Sequence, residues 1–175
     1  MKFITSIFAA VSALFLTACS VSPPKDLSVI NNFDVKRYQG DWYEIARLEN
    51  SFERGLTKAT ANYAIQEDGT VRVTNRGYDP RTKEWKESVG VAKFVSEPNV
   101  GALKVSFFGP FYGGYNIIAL DKGYNYALVA GNDRSYLWLL SRKPSIDAKT
   151  KREYLDIAKA NGFAVDQLVW NDWSK

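Results

Sequence analysis

Apolar and polar residues alternate along most of the chain between Trp42 and Arg142, and turn residues interrupt the alternation at short intervals. A period of two puts successive side chains on opposite faces of a β-strand, so each segment has one face suited to burial. Clusters of Gly, Pro, Asn and Asp between the segments are typical of tight turns. The predicted strands cover residues 40–47, 58–66, 70–77, 85–94, 102–108, 115–120, 124–131 and 136–142, with a loop at 109–114. Such a meander closes into a barrel or packs as a sandwich. The inward face of 85–94 stays ambiguous.

The period changes after residue 144, where a helix is predicted. Its apolar residues lie roughly on one stripe, namely Ile146, Tyr154, Ile157 and Ala158. Ser145 or Asp147 is the candidate N-cap, and Asn161–Gly162 ends the helix. Residues 163–170 predict one last strand. The fold class is therefore all-β with one C-terminal helix.

Residues 1–18 predict a secretory signal peptide. Lys2 supplies the positive charge, residues 3–16 are almost wholly apolar, and small residues lead to Cys19. The apolar stretch is too short and wrongly flanked for a membrane-spanning helix. Cys19 is the only cysteine, and it stands where a bacterial lipobox has its acylated cysteine; a stray free thiol is the alternative. By resemblance to the sorting rule of Gram-negative lipoproteins, Ser20 after it favours the outer membrane.

Residues 19–32 predict a lipid-anchored tether, and residues 33–175 the folded domain. Pro23–Pro24 stiffens the tether and excludes a helix, so that fully extended it would reach roughly 40 Å from the bilayer. The formal net charge is +4, and loss of the signal peptide removes Lys2 and leaves +3. The sequence has no block of like charges, so we expect no nucleic-acid partner.

Two motifs frame the predicted strands. Gly40-Asp41-Trp42 opens the first, and Leu137-Trp138-Leu139-Leu140-Ser141-Arg142 forms the last one before the helix. With about eight strands between them, this arrangement resembles the lipocalin family, and within it the bacterial outer-membrane lipoprotein lipocalins and apolipoprotein D. Residues 32–47 and 104–116 match that subfamily nearly throughout. The resemblance implies an eight-stranded antiparallel up-and-down β-barrel, the lipocalin calyx.

A group of structural residues should close one end of this barrel. Successive turns of a meander alternate between its two ends, so Gly40, Trp42, Asp121 and Arg142 should converge, with Arg142 over the Trp42 indole as a cation–π pair. Between the first and last motifs, the lipocalin family often has a third motif with the sequence Thr-Asp-Tyr. Here Asp121 keeps the carboxylate, and both Tyr124 and Tyr126 remain candidates for the tyrosine.

The opposite end of the barrel should be an open rim. The inward faces of the strands should line the cavity below this rim. The rim residues are Phe52, Arg54, Phe111, Tyr112 and Arg134, which could guard a pocket mouth, contact lipid, pair with a second copy in a homodimer, or pack as plain loops. The candidate calyx residues are Tyr63, Val73, Asn75, Phe107, Tyr115, Ile117, Val129, Tyr136 and Trp138. Resemblance to apolipoprotein D implies ligand contacts at Tyr63, Asn75, Phe107 and Trp138. A barrel of this size is either filled by side chains or holds one small ligand, and this wall suits an apolar one.

The composition argues against catalysis. The chain has no histidine, which removes an imidazole base, a Ser-His triad and histidine metal ligands. We expect no enzyme activity, no metal and no cofactor. The resemblance implies binding and storage or transport of fatty acids or lysophospholipids in the periplasm, including membrane maintenance under stress. An interaction platform without a lipid ligand is the alternative, and an envelope enzyme acting on lipids is disfavoured.

Overall fold

The computed structural model describes residues 21–174, so the predicted signal peptide and Cys19 lie outside the described residues. In chain order the elements are helix α1 (Val35–Tyr38), strands β1 (Gly40–Leu48), β2 (Thr57–Ile65), β3 (Val71–Asp79), β4 (Glu84–Phe94), β5 (Ala102–Phe108), β6 (Phe111–Leu120), β7 (Tyr126–Ala130) and β8 (Leu137–Ser141), helix α2 (Ala148–Ala160), a 3₁₀ turn (Val165–Gln167) and strand β9 (Leu168–Trp170).

The strands form one antiparallel sheet that closes on itself. Each strand from β1 to β8 pairs with the next in sequence, and β1 also pairs with β8, which closes the barrel. Strand β2 pairs only with residues 40–43 of β1. Strand β9 pairs with residues 46–48 of β1, beyond the point where β2 separates from β1. The predicted eight-stranded up-and-down barrel with a C-terminal helix is confirmed.

The turns lie at two opposite ends, as a meander requires. Residues 66–70, 95–101 and 121–125 lie with Gly40 and Ser141 at the end that we call the floor. Residues 49–56, 80–83, 109–110 and 131–136 lie at the other end, which we call the mouth.

Two apolar clusters stabilise the barrel by burying side chains on both faces of its wall. The inner cluster fills the barrel and includes Trp42, Tyr63, Val73, Ile117 and Val129. The outer cluster packs α2 and the N-terminal segment against the wall, and includes Leu27, Leu128, Leu139, Tyr154 and Ala158. Asp147 is the N-cap of α2, since its carboxylate accepts bonds from the backbone N–H groups of Lys149 and Thr150.

Register settles the facing of β4. Ala92 is buried opposite Val105 of β5, whereas Val89 and Val91 lie on the exposed outer face. A bulge in β6 after Ile117 shifts the alternation, so Ala119 packs in the outer cluster, although it lies two residues after the inward-facing Ile117.

Most boundaries differ from the sequence prediction by one or two residues, and three features differ more. Residues 111–114 belong to β6 and not to a loop, because the backbone of Gly113 and Gly114 pairs with β5 without needing side chains. The last strand covers only Leu168–Trp170, because a 3₁₀ turn precedes it. The short helix α1 was not predicted; Asp34 caps it.

The C-terminal part of the segment predicted as a tether packs along the barrel. Leu27 is buried in the outer cluster. Ile30 donates its N–H to the carbonyl of Ile117 at 2.9 Å and accepts from Gly101 at 2.9 Å. Apolar burial and these two backbone bonds hold the segment against the wall. Among residues 21–174, the helices are too short or too polar to cross a bilayer.

Candidate functional site

The floor is closed by the predicted arginine–tryptophan pair. Trp42 is fully buried, and its indole N–H donates to the carbonyl of Tyr38 at 2.9 Å. The Arg142 guanidinium carbon lies 4.0 Å from the indole centroid. Gly40 has φ +89°, which favours glycine, and a Cβ there would lie 3.4 Å from Arg142 Nη1. Arg142 also donates to the carbonyls of Arg37, Asp41 and Tyr124, so one side chain ties three segments together.

Asp121 lies at the floor but organises its own turn instead of contacting the arginine–tryptophan pair. Its carboxylate accepts from the backbone N–H groups of Gly123, Asn125 and Tyr126. Tyr124 lies under the Arg37 guanidinium at 4.0 Å, whereas Tyr126 packs on Tyr154 of α2. Tyr124 is therefore the tyrosine that belongs to the floor.

The half of the barrel nearest the floor is filled by tyrosines. The hydroxyl of Tyr115 lies 2.8 Å from those of both Tyr38 and Tyr63. Burial raises the pKa of Tyr63 and of Tyr115 well above the usual range, so these hydroxyls stay neutral. The space left beside Val73 is about 20 Å³, which is room for about one water molecule. The predicted calyx residues Tyr63, Val73, Ile117 and Val129 thus lie inside the barrel but in packed core.

An arginine inside the barrel holds the loop at residues 49–56 over the mouth. Arg47 is 1% exposed, and it donates to Glu44 Oε1 at 2.8 Å and to Glu49 Oε1 at 3.2 Å. Its Nη2 also donates to the carbonyls of Glu53 and Leu56, so it binds both ends of the loop. Alternation predicts that Arg47 faces outward. A bulge in β1 between Glu44 and Ala46 turns it inward, and sequence reasoning missed it.

Glu44 is the buried partner of this arginine. Burial raises the pKa of Glu44 to about 8; the nearby Glu53 carboxylate adds to the shift and Arg47 opposes it. Asn171 supports the same carboxylate by donating its side-chain N–H to Glu44 Oε1 at 2.8 Å. The buried Glu44 carboxyl therefore has both a charged and a neutral hydrogen-bond donor.

Stacked aromatic rings connect the loop to the wall. Phe52 stacks on Tyr136 with centroids 6.1 Å apart, and Tyr136 stacks on Trp138 at 6.1 Å. The Trp138 indole N–H donates to Glu53 Oε2 at 2.8 Å. Tyr136 and Trp138 thus lie at the mouth, and Trp138 is linked directly to the loop that covers it.

An open groove lies where β4 and β5 separate. Their pairing ends at Val91 and Ser106, and beyond this point Phe107 lies against Gly90, which has no side chain to fill the space. The groove has a volume of about 540 Å³ and is lined by Gln66, Arg72, Val89, Gly90, Val91, Ser106, Phe107, Gly109 and Tyr112. Ligand pockets for small molecules are commonly about 300–1,000 Å³. Of the predicted calyx residues, Phe107 is the one that lines it.

Asn75 is the predicted calyx residue whose side chain has an unsatisfied hydrogen-bond acceptor. Its side-chain oxygen is buried and has no hydrogen-bond partner within residues 21–174. Buried acceptors in native proteins nearly always have a donor. A hydroxyl on a bound molecule could supply one.

The predicted rim residues do lie around the mouth, but in different environments. Phe52 and Phe111 are largely exposed. Tyr112 lies below the Lys104 ammonium at 5.1 Å. Arg134 is already bound to Asp26 at 2.8 Å and to the carbonyl of Asn161, whereas Arg54 is exposed. Among the described residues, no group of three or more Cys, Asp or Glu side chains could hold a metal ion.

Comparison with known proteins identifies the family to which this chain belongs. A family model described as a lipocalin-like domain matches residues 33–172. The chain belongs to the lipocalin family. Lipocalins are in general binding proteins and not enzymes.

Individual relatives place this lipocalin more closely. The outer membrane lipoprotein Blc of Citrobacter freundii is 54% identical over 169 residues, which cover 95% of this chain and 96% of the relative. Apolipoprotein D of Mus musculus is 35% identical over 86% of this chain and 80% of its own. The solved structure of insecticyanin from Manduca sexta has a TM-score of 0.69 at 20% identity over 87% of each chain, which supports the fold. The predicted location at the outer membrane, as a lipoprotein, is confirmed.

Proposed function

We propose that this lipocalin binds one single-chain amphiphile, a fatty acid or a lysophospholipid, and stores or transports it at the periplasmic face of the outer membrane, including when the membrane is under stress. The observation that carries the proposal is the groove of about 540 Å³ between β4 and the β5–β6 hairpin. Its apolar residues include Val89, Val91 and Phe107, and its polar residues include Arg72. This combination suits an apolar tail with a charged head.

Apolar burial supplies most of the expected affinity. Removal of one methylene from water contributes about 0.8 kcal/mol before the costs of binding. Arg72 is exposed, so its attraction to a phosphate or carboxylate is screened by water and salt. The space beside Val73 is too small for a tail, which favours the side groove over the barrel axis. Two-chain phospholipids should bind less well.

A chain-length series of fatty acids and lysophospholipids tests the binding proposal. We expect the affinity to fall by up to about fifteenfold for each two methylenes removed, since tail burial dominates. Removal of the phosphate should cost less, and so should Arg134→Ala. Isothermal titration calorimetry measures binding, because no tryptophan lines the groove.

Two matched substitutions give this titration its control. Phe107→Asp places a carboxylate in the groove and should abolish binding, whereas Phe108→Asp adds the same charge on a side chain that does not line the groove. Equal affinities for all chain lengths, or equal losses in both variants, would contradict the proposal. Either result would favour the alternative, a barrel that serves as an interaction platform without a lipid ligand.

The proposal also includes a homodimer. Val89 and Val91 line the groove and are partly exposed, so a second copy that covered the outer face of β4 would also cover the bound ligand. Sedimentation of the detergent-free protein at several concentrations separates monomer from dimer.

We also propose that the lipid anchor is attached to Cys19. The thiol is the atom to which the diacylglyceryl group would be joined, so Cys19→Ser should abolish acylation and leave an unprocessed or soluble product. Incorporation of radiolabelled palmitate measures this directly, with Ser20→Ala as the control that keeps the thiol. Equal incorporation into the Cys19→Ser protein would refute the assignment.

A further inference from the structure

We infer that the mouth of the barrel rests on the surface of a phospholipid bilayer, with Phe52, Phe108 and Phe111 inserted among the lipid head groups. Ligands would then enter the groove directly from the membrane. The inference goes beyond ligand binding itself, and its argument about the anchor rests on the proposed acylation of Cys19.

Three phenylalanine side chains at the mouth are largely exposed. Phe52 is 76% exposed, Phe108 81% and Phe111 73%. They lie on two different connections, residues 49–56 and the β5–β6 turn, that share this end of the barrel. Large apolar side chains exposed together mark a surface that contacts another apolar phase. Aromatic rings suit the boundary between lipid and water.

The N-terminal segment leads to the same end. It leaves the floor at Phe33, whose N–H donates to the carbonyl of Asn99. It then follows the outside of the wall, and Asp26 forms an ion pair at 2.8 Å with Arg134 of the mouth turn at residues 131–136. At the start of the segment, the carbonyl oxygen of Val21 lies close to Gly114. A Cβ atom added to this glycine would be only 3.0 Å from that oxygen.

Gly114 is level with the mouth, because its N–H donates to the side chain of Asn132 in the same mouth turn. Cys19 is two residues before Val21, and two residues span at most about 7 Å. An acyl anchor on Cys19 would therefore enter the bilayer beside the mouth and not beneath the floor. The anchor and the exposed rings thus select the same orientation by independent routes.

Apolar contact, and not charge, should dominate this docking. Exposed Arg54, Arg81 and Lys83 at the mouth are interspersed with exposed Glu84 and Asp133. Such a mixed surface has little net attraction for anionic lipid. Docking should therefore persist at high salt.

Labelling of the mature acylated protein tests the orientation. With Cys19 acylated, an introduced cysteine is the only free thiol. Ser51→Cys places a fluorescent label at the mouth beside Phe52, and Glu67→Cys places the same label on the exposed floor turn. After reconstitution into vesicles of phosphatidylethanolamine and phosphatidylglycerol, spin-labelled phospholipids should quench the label at residue 51 and leave the label at residue 67 unaffected. Quenching at residue 67, or at neither site, would overturn the inference.

Two further variants separate this result from ligand binding. The double substitution Phe108→Ser and Phe111→Ser should lower the ratio of docked to undocked protein by about tenfold or more, since two rings lose their apolar contact, while the affinity for lysophospholipid in solution persists. Phe107→Asp should lower the affinity for lysophospholipid in solution and leave the ratio of docked to undocked protein unchanged. Self-quenching between labelled chains without any spin-labelled lipid would instead mean that a second copy covers the rings, and this would also overturn the inference.

Discussion

Replacement of Trp42 with alanine is expected to lower the free energy of unfolding by about 3–5 kcal/mol, as for other large truncations in packed cores. The indole is fully buried at the floor and contacts the ring of Tyr38, 4.7 Å away between centroids. Its removal leaves a cavity, deprives the carbonyl of Tyr38 of its indole donor, and exposes the face on which Arg142 lies. Urea unfolding followed by circular dichroism measures the loss.

A second arginine–tryptophan pair, which lies at the protein surface, provides the control for this substitution. Arg76 lies over the ring of Trp85 at 4.5 Å, but Trp85 is 46% exposed. Trp85→Ala should therefore cost much less. A double-mutant cycle for Trp42 and Arg142 should give a coupling energy of about 0.5–2 kcal/mol, and the cycle for Trp85 and Arg76 a smaller one. Additive effects at the floor would mean that Trp42 and Arg142 do not stabilise each other.

The barrel could be predicted from sequence because two local signals agree along its whole length. Alternation marks each strand, and turn residues mark each reversal, so the assignment of turns to floor and mouth follows from counting. This is why Trp42 and Arg142 were predicted to meet across a hundred residues. The start of β6 was missed because Gly113 and Gly114 pair through their backbones and leave no side-chain pattern.

The candidate site was less predictable, because alternation tells which side chains point inward but not how much space they leave. Val73, Ile117 and Val129 do point inward, but they pack in the inner cluster with Tyr63 and Tyr115. The space in the structure comes instead from the separation of β4 and β5 beside Gly90. Strand separation depends on sheet geometry, which a single sequence does not encode locally.

Arg47 shows how a bulge defeats a periodic pattern. One extra residue between Glu44 and Ala46 reverses the facing of everything after it in the strand. The signal that could have found the arginine is Glu44, which alternation already placed inside and which needed a cation within reach. An arginine three residues away in the same strand was the nearest candidate.

Replacement of Arg47 with methionine is expected to destabilise the protein by about 3–5 kcal/mol above pH 8, where Glu44 is ionised, as for other buried ion pairs that lose one partner. The substitution keeps an apolar chain of similar length but removes the donors to Glu44, Glu49 and the carbonyls of the loop. Arg54→Met is the matched control, because Arg54 lies exposed in the same loop and its replacement should change stability by less than about 0.5 kcal/mol.

The pH dependence of stability identifies the cause of that loss. Because the pKa of Glu44 is raised from 4.5 to about 8 in the folded protein, the folded state binds an extra proton between these values. The contribution of Glu44 to stability is therefore fully present below about pH 4.5 and is lost as pH rises towards 8. Without the opposing charge of Arg47 the pKa of Glu44 should rise further, so in Arg47→Met the decline should continue above pH 8. Adding Glu44→Gln should remove that extra decline and restore part of the stability at pH 8. If the loss in Arg47→Met did not depend on pH, the arginine would act through its bonds to the loop alone and not through the Glu44 carboxylate.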